Sequence, residues 1–117
     1  MMDCFELNDQ GIDALEKKDY EKALECFKKS LEVNEDYLVA WHNMGSAYSK
    51  LMQFENALKC YDKRLESDSM DTGTLNQKGL TLKKLEKMDS AIDVFDEIIS
   101  IDPFDTAPWM NKGTIFE

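Results

Sequence analysis

Apolar residues return along this chain at the three- and four-position steps of an α-helix. Trp41, Met44, Tyr48 and Leu51 mark one such stretch, and Ala57, Leu58, Tyr61 and Leu65 mark the next. Together they predict a helical hairpin, and the hairpin recurs. Gly stands at 11, 45, 79 and 113, an even spacing throughout. The same step carries Leu7, Trp41, Leu75 and Trp109, then Ala14, Tyr48, Leu82 and Phe116, then Ala23, Ala57 and Ala91, then Phe27, Tyr61 and Phe95. A single domain over 1–117 is expected, with whole repeats at 4–37, 38–71 and 72–105 and the start of a fourth at 106–117.

The helix ends are marked by chemistry. Asp3, Asp71 and Asp105 precede the first helix of their repeats, where a carboxylate accepts from free N–H groups and opposes the positive end of the helix dipole. Tyr37 alone breaks that pattern. Pro103 closes the second helix of the third repeat, and Pro108 falls in the first turn of the next helix, where its missing N–H costs little. A glycine inside a helix costs about 1 kcal/mol relative to alanine, so four at one register position imply a compensating close contact. The expected contact brings Gly11, Gly45 and Gly79 against Ala23, Ala57 and Ala91, flanked by the aromatic residues.

Composition narrows the function classes. With 43% hydrophobic and 32% charged residues among 117, the chain reads as soluble and globular. Its longest uninterrupted apolar stretch, Leu38 to Trp41, is far below the roughly 20 residues of a membrane span. A start without basic or apolar signal character makes the cytoplasm the expected location. The net charge of -10 repels phosphate backbones, so nucleic acid is not expected as a partner, and the short apolar stretch makes a membrane equally unexpected. Cys4, Cys26 and Cys60 are odd in number and lack C-x-x-C spacing, which reads as reduced packing thiols. With His42 the only histidine, no metal or cofactor is expected. No paired acid and base, phosphate loop or based nucleophile appears, so no catalytic residue is assigned and the chain is not read as an enzyme.

The ladder of Trp or Leu, Gly, Tyr, Ala, aromatic residue and Pro, recurring with a period of about 34 residues, resembles the tetratricopeptide repeat family. Repeat two carries Trp41, Met44, Gly45, Tyr48, Ala57 and Tyr61, and repeat three adds Gly79, Ala91, Phe95 and Pro103. Departures are Ser30, Arg64 and Ile98 at a usually small position, and Gln10, Lys78 and Lys112 at a usually apolar one. Runs such as Asn76-Gln77-Lys78-Gly79 are similar to prokaryotic arrays of the family. The resemblance implies an all-α solenoid of antiparallel hairpins, wound right-handed, whose first helices line an open concave groove.

By that family geometry the groove is lined by Asn8, Asp9 and Ile12, by His42, Asn43 and Ser46, by Asn76, Gln77 and Leu80, and by Met110 and Asn111. Phe5, Val39, Lys50, Gly73 and Lys84 lie on the same lining, which leaves it close to neutral and puts the surplus acid on the outer face. Repeat one alone holds ten acids against five lysines. The amides form ladders, Asn43 with Gln77 and Asn111, and Asn8 with Asn76. This resembles the asparagine ladder of O-linked N-acetylglucosamine transferases, which grips a ligand's backbone; simple solvation is the other reading. At the family's carboxylate-clamp positions stand Asn8, Ile12, Asn43, Gly73 and Gln77, of which only Asn43 matches, so binding of chaperone tails is not implied.

The resemblance therefore implies a non-catalytic interaction module that binds an extended peptide or a partner helix in the groove. The alternative is a structural segment of a longer array. Solenoid ends need polar caps, and the last unit instead holds Trp109, Ile115 and Phe116. Those residues are the expected self-association surface, either toward further repeats or in a two-fold homodimer.

Overall fold

The computed structural model describes residues 2–104 and Pro108. Among these, six helices follow in order: α1 (Cys4–Glu16), α2 (Tyr20–Val33), α3 (Leu38–Lys50), α4 (Phe54–Leu65), α5 (Thr72–Lys84) and α6 (Met88–Ile101). They pair as α1 with α2, α3 with α4 and α5 with α6, and each hairpin then packs on the next through α2 with α3 and α4 with α5. The first helices α1, α3 and α5 also touch in series, so they share one side of the stack. The result is an all-α solenoid.

Each hairpin turns without glycine. Lys18, Met52 and Glu86, one to each repeat at the same register position, take left-handed backbone with φ of 62°, 61° and 61°. In each turn two N–H groups reach back to the preceding helix. Asp19 N bonds Ala14 O at 2.8 Å, Gln53 N bonds Tyr48 O at 2.9 Å and Lys87 N bonds Leu82 O at 2.9 Å. This is the hydrogen-bond pattern that usually employs glycine at its left-handed position. Placing Lys, Met or Glu there costs about 1 kcal/mol each, which the paired carbonyls and the hairpin packing offset.

The four helix caps bear on the expected pattern in different ways. Asp3 accepts from Glu6 N at 2.8 Å, as its position predicts, and Tyr37 precedes α3 with no capping side chain. Asp71 departs from the expectation. It precedes α5, and its carboxylate accepts from the Thr74 hydroxyl in the first turn of that helix and faces Arg64. Asp105 lies outside the described residues. The helix preceding Pro103 ends at Ile101, as the proline requires.

The glycine contact is also different in detail from the expectation. A Cβ on Gly45 or Gly79 would stand 2.5 Å from the ring of Tyr61 or Phe95, and one on Gly11 would run into the Phe27 ring. The partner of each glycine is thus the aromatic residue itself, and the alanines lie beside it, fully buried. A ring face covers more backbone than a methyl group, so the missing Cβ is filled by the larger payload.

The apolar core falls into two clusters. The first runs through hairpins one and two, from Ala14, Leu24 and Phe27 to Ala40, Met44, Ala47 and Cys60. The second holds Leu75, Leu82, Ala91, Val94, Phe95 and Ile98 of hairpin three, with Leu58 and Leu65 of α4 against it. All three cysteines are buried free thiols, and burial pushes the Cys60 thiol up to about 12, with a small opposing effect from Lys28. Such a thiol stays protonated and packs as an apolar group.

Candidate functional site

Spacing along α3 puts Val39, His42, Asn43, Ser46 and Lys50 on one face and Trp41, Met44, Tyr48 and Leu51 on the opposite face. The second set enters the core. The first set faces the side shared with α1 and α5, where the structure forms two clefts. The larger, about 670 Å³, is lined by Ser46, Ser49, Lys50 and Met52 from hairpin two and by Gln77, Leu80 and Lys84 from α5. The smaller, about 300 Å³, lies toward the helix starts, between Val39, His42, Arg64, Asp71 and Gly73.

The larger cleft combines an apolar floor with a cationic rim. Met52 is 74% exposed and Leu80 half-buried, while Lys50 and Lys84 are exposed. Among the described residues no carboxylate lines this cleft. Its hydroxyls are partly committed to their own helices. Ser46 donates to His42 O at 3.3 Å and Thr81 to Gln77 O at 2.8 Å. Below them Ser49 lies 3.4 Å from the Tyr61 hydroxyl. Burial raises the Tyr61 phenol above its ordinary range, against the opposing pull of Ser49 and Ser46, so the ring stays neutral.

The smaller cleft holds a chain of polar contacts. Thr74 donates to Asp71 Oδ2 at 2.7 Å, and its oxygen lies 2.8 Å from His42 Nδ1. A hydroxyl has one proton, so Thr74 accepts from His42 and the imidazole carries its proton on Nδ1. Arg64 Nη2 stands 3.3 Å from Asp71 Oδ2, and Arg64 Nη1 is buried without a partner among the described residues. Burial drives the His42 pKa down, opposed by Asp71 and aided by Arg64, so His42 is neutral at pH 7. Burial alone would raise the Asp71 carboxyl, but the Thr74 hydroxyl and the Arg64 guanidinium outweigh it and hold it below its ordinary value.

The expected amide ladder is only partly displayed to solvent. Asn8 is 2% exposed, and Asn43 donates to its Oδ1 at 3.0 Å, tying α1 to α3. That bond leaves Asn43 with its carbonyl oxygen and one N–H. Gln77 faces the larger cleft and Asn76 is half-buried beside it. Asp9 is exposed, and Ile12 is half-buried against the first core cluster. Met110, Asn111, Trp109, Ile115 and Phe116 lie outside the described residues.

Four groups that shape the two clefts were not among the expected groove residues: Arg64, Asp71, Thr74 and Met52. Arg64 carried a signal, since it occupies a register position where Ser30 and Ile98 are buried. Met52 carried none, because its exposure follows from a left-handed turn that no glycine announces. Among the described residues no three His, Cys, Asp or Glu side chains are grouped to hold a metal ion, and no helix is long and apolar enough to cross a membrane.

Comparison with known proteins adds the following. The sequence pattern of the family described as Tetratricopeptide repeat matches residues 4–37, and again 38–69 and 72–105. No match is found among curated proteins. Among the solved structures that share the fold, three illustrate the likeness. The chain is similar to the first repeat domain of Spaghetti (RPAP3) bound to the HSP90 peptide SRMEEVD, with a TM-score of 0.91, 18% identity and cover of 97% of this chain and 90% of that one. It is similar to the second repeat domain of human RPAP3 in complex with the HSP70 peptide SGPTIEEVD, at 0.88, 20%, 95% and 92% in the same order. The Sgt2 repeat domain of Aspergillus fumigatus follows at 0.86, 19%, 95% and 75%.

Proposed function

Because the chain belongs to the tetratricopeptide repeat family, we propose that it is a non-catalytic protein-interaction module which takes an extended segment of a partner in its concave groove. The observation that carries this reading is the larger cleft, an apolar patch with a cationic rim on a chain of net charge -10. An apolar partner side chain fits over Leu80 and Met52, and an acidic neighbour meets Lys50 or Lys84. Gln77 and the remaining carbonyl and N–H of Asn43 supply donors and acceptors for a partner's peptide groups. The peptides held by the two RPAP3 domains lend support by analogy of fold alone. Gly73 and Gln77 stand where clamp-bearing members of the family carry cations, so a chaperone tail is not the proposed partner.

The test is selection of peptides from a random display library on the intact chain and on Leu80→Glu with Lys84→Glu. A binding module selects a sequence class combining apolar and acidic residues, and the double variant loses it. Selection of no class, or of the same class by both proteins, would reject groove binding.

A further inference from the structure

The face of α3 turned away from the groove is not fully covered. The α2 and α4 backbones do not approach closely, and α3 lies between them. Two clefts of about 400 Å³ and about 670 Å³ run along α2 there, both bordered by Lys28 and Glu32. Their apolar parts are Leu24 and Leu51 in one, and Leu31, Trp41 and Met44 in the other, with Leu24, Leu31 and Met44 buried as the floor and Leu51 and Trp41 half-buried above it. Trp41 is half-buried, its indole N–H donating to Glu35 O at 3.1 Å, and Val33 at the margin is 56% exposed.

The next junction shows how the same register can be closed. One repeat further along the chain, Lys78 takes the register position of Met44, and Asp62 takes that of Lys28. Lys78 and Asp62 form an ion pair of 2.7 Å that spans α5 and α4. At the first junction the corresponding pair is a methionine and a lysine, which cannot bridge. Lys28 instead lies 5.8 Å from the Tyr48 ring centroid. The trough between repeats one and two is therefore not bridged by an ion pair where its neighbour is, and above its buried floor Trp41 and Val33 keep accessible apolar surface.

The margin of this trough is acidic. Lys29 is spent on Glu25 at 3.0 Å, and Lys28 is turned to Tyr48. Glu21, Glu32 and Glu35 have no ion-pair partner among the described residues. We propose that this outer trough is a second docking surface, separate from the concave groove, for a partner protein segment that presents an apolar side chain flanked by lysine or arginine. The apolar group packs on Trp41 and Val33, over the buried Met44, and the cations meet Glu32 and Glu35. The two surfaces select opposite charge, since the concave cleft carries Lys50 and Lys84 with no carboxylate among its described residues.

The probe is a peptide of leucine and lysine about 14 residues long, roughly four helical turns, with its leucines at helical spacing. A counterpart carries glutamate for lysine. The readout is the ε-methyl resonances of Met44, which borders the trough, and Met52, which borders the concave cleft. The leucine–lysine peptide should shift Met44 saturably and leave Met52 in place, and the leucine–glutamate peptide should leave Met44 unmoved. Lys28→Asp with Met44→Lys copies the second junction and should weaken the leucine–lysine peptide about tenfold by fluorescence anisotropy, whereas Leu80→Glu leaves it unchanged. Should the copied pair lose helicity, Glu32→Lys with Glu35→Lys, both on exposed positions, carries the test with the same direction. A shift at Met52 without Met44, an equal response to both peptides, or no saturable shift would overturn the proposal, as would unchanged affinity in the folded variants.

Discussion

Where the second hairpin meets the first, Leu31, Ala40, Met44 and Ala47 belong to one continuous apolar cluster, and the polar tie is a neutral one, Asn43 to Asn8. Where the second hairpin meets the third, a separate apolar cluster takes Leu58 and Leu65 of α4, and to it are added charged and polar ties: His42, Thr74, Asp71 and Arg64 link α3, α5 and α4, with Lys78 paired to Asp62 outside them. Both junctions obey the same repeat register. They differ because a few register positions change chemical type, Met44 to Lys78, Lys28 to Asp62 and Ser30 to Arg64. A solenoid's stability is close to a sum of unit and interface contributions, so two interfaces in one chain can respond differently to acid, salt and mutation.

The largest test removes what the junctions share. Gly45→Leu drives a side chain into Tyr61, in the hairpin that serves both interfaces, and should lower stability by about 3 kcal/mol through overpacking. Calorimetry should show a fall in melting temperature of about ten degrees or more for a domain of this size. Amide exchange should speed up on both sides of α3. Loosening on one side only would mean that the hairpins are not coupled through this glycine.

Asp71→Ala breaks the charged junction alone. Arg64 then loses its partner, and Thr74 and His42 lose the acceptor at the end of their chain, for a cost of about 2 kcal/mol after allowance for partial exposure. Exchange should accelerate in α5 and α6 and hold steady in α1 and α2. Uniform acceleration would erase the distinction between the junctions.

Asn43→Ala acts on the other side and should cost about 1 kcal/mol, because it strands the buried Asn8 oxygen. Its effect should be the same at low and high salt, whereas the cost of Asp71→Ala should shrink as salt rises. A salt-dependent penalty for Asn43→Ala would show that charge contributes at the first junction too.

Acid gives the smallest and sharpest contrast. The folded pKa of His42 is depressed, so its contribution is fully present above the unfolded value of 6.5 and is lost as pH falls through the folded value. Asp71 behaves alike at lower pH, its contribution present above 3.8 and lost below. Mild acid should therefore loosen α5 and α6 before α1 and α2. His42→Gln should remove the first step and leave the second, as followed by amide exchange across the acid range. An unchanged first step in that variant would assign it to another group.

The evenly spaced ladders of Gly, Ala and aromatic residues determined by themselves that the chain forms stacked helical hairpins. That information is local and periodic, and side chains at helical spacing with one small residue per unit admit few other packings. Helical spacing separates His42 and Ser46 from Trp41 and Met44, but the expectation that the first pair faces a groove came from the family resemblance and not from spacing. Only the tertiary structure decided what each side chain does with its surroundings. Asn8 became a buried acceptor, Asp71 bonded the Thr74 hydroxyl in the first turn of its own helix and paired with Arg64 of another, and the glycines met rings where alanines were expected. Those outcomes depend on neighbours brought in by other helices and on competition for single protons and lone pairs, which register does not encode. The open trough beside Met44 belongs to the same class, because it exists only by contrast with the ion pair that spans the next junction.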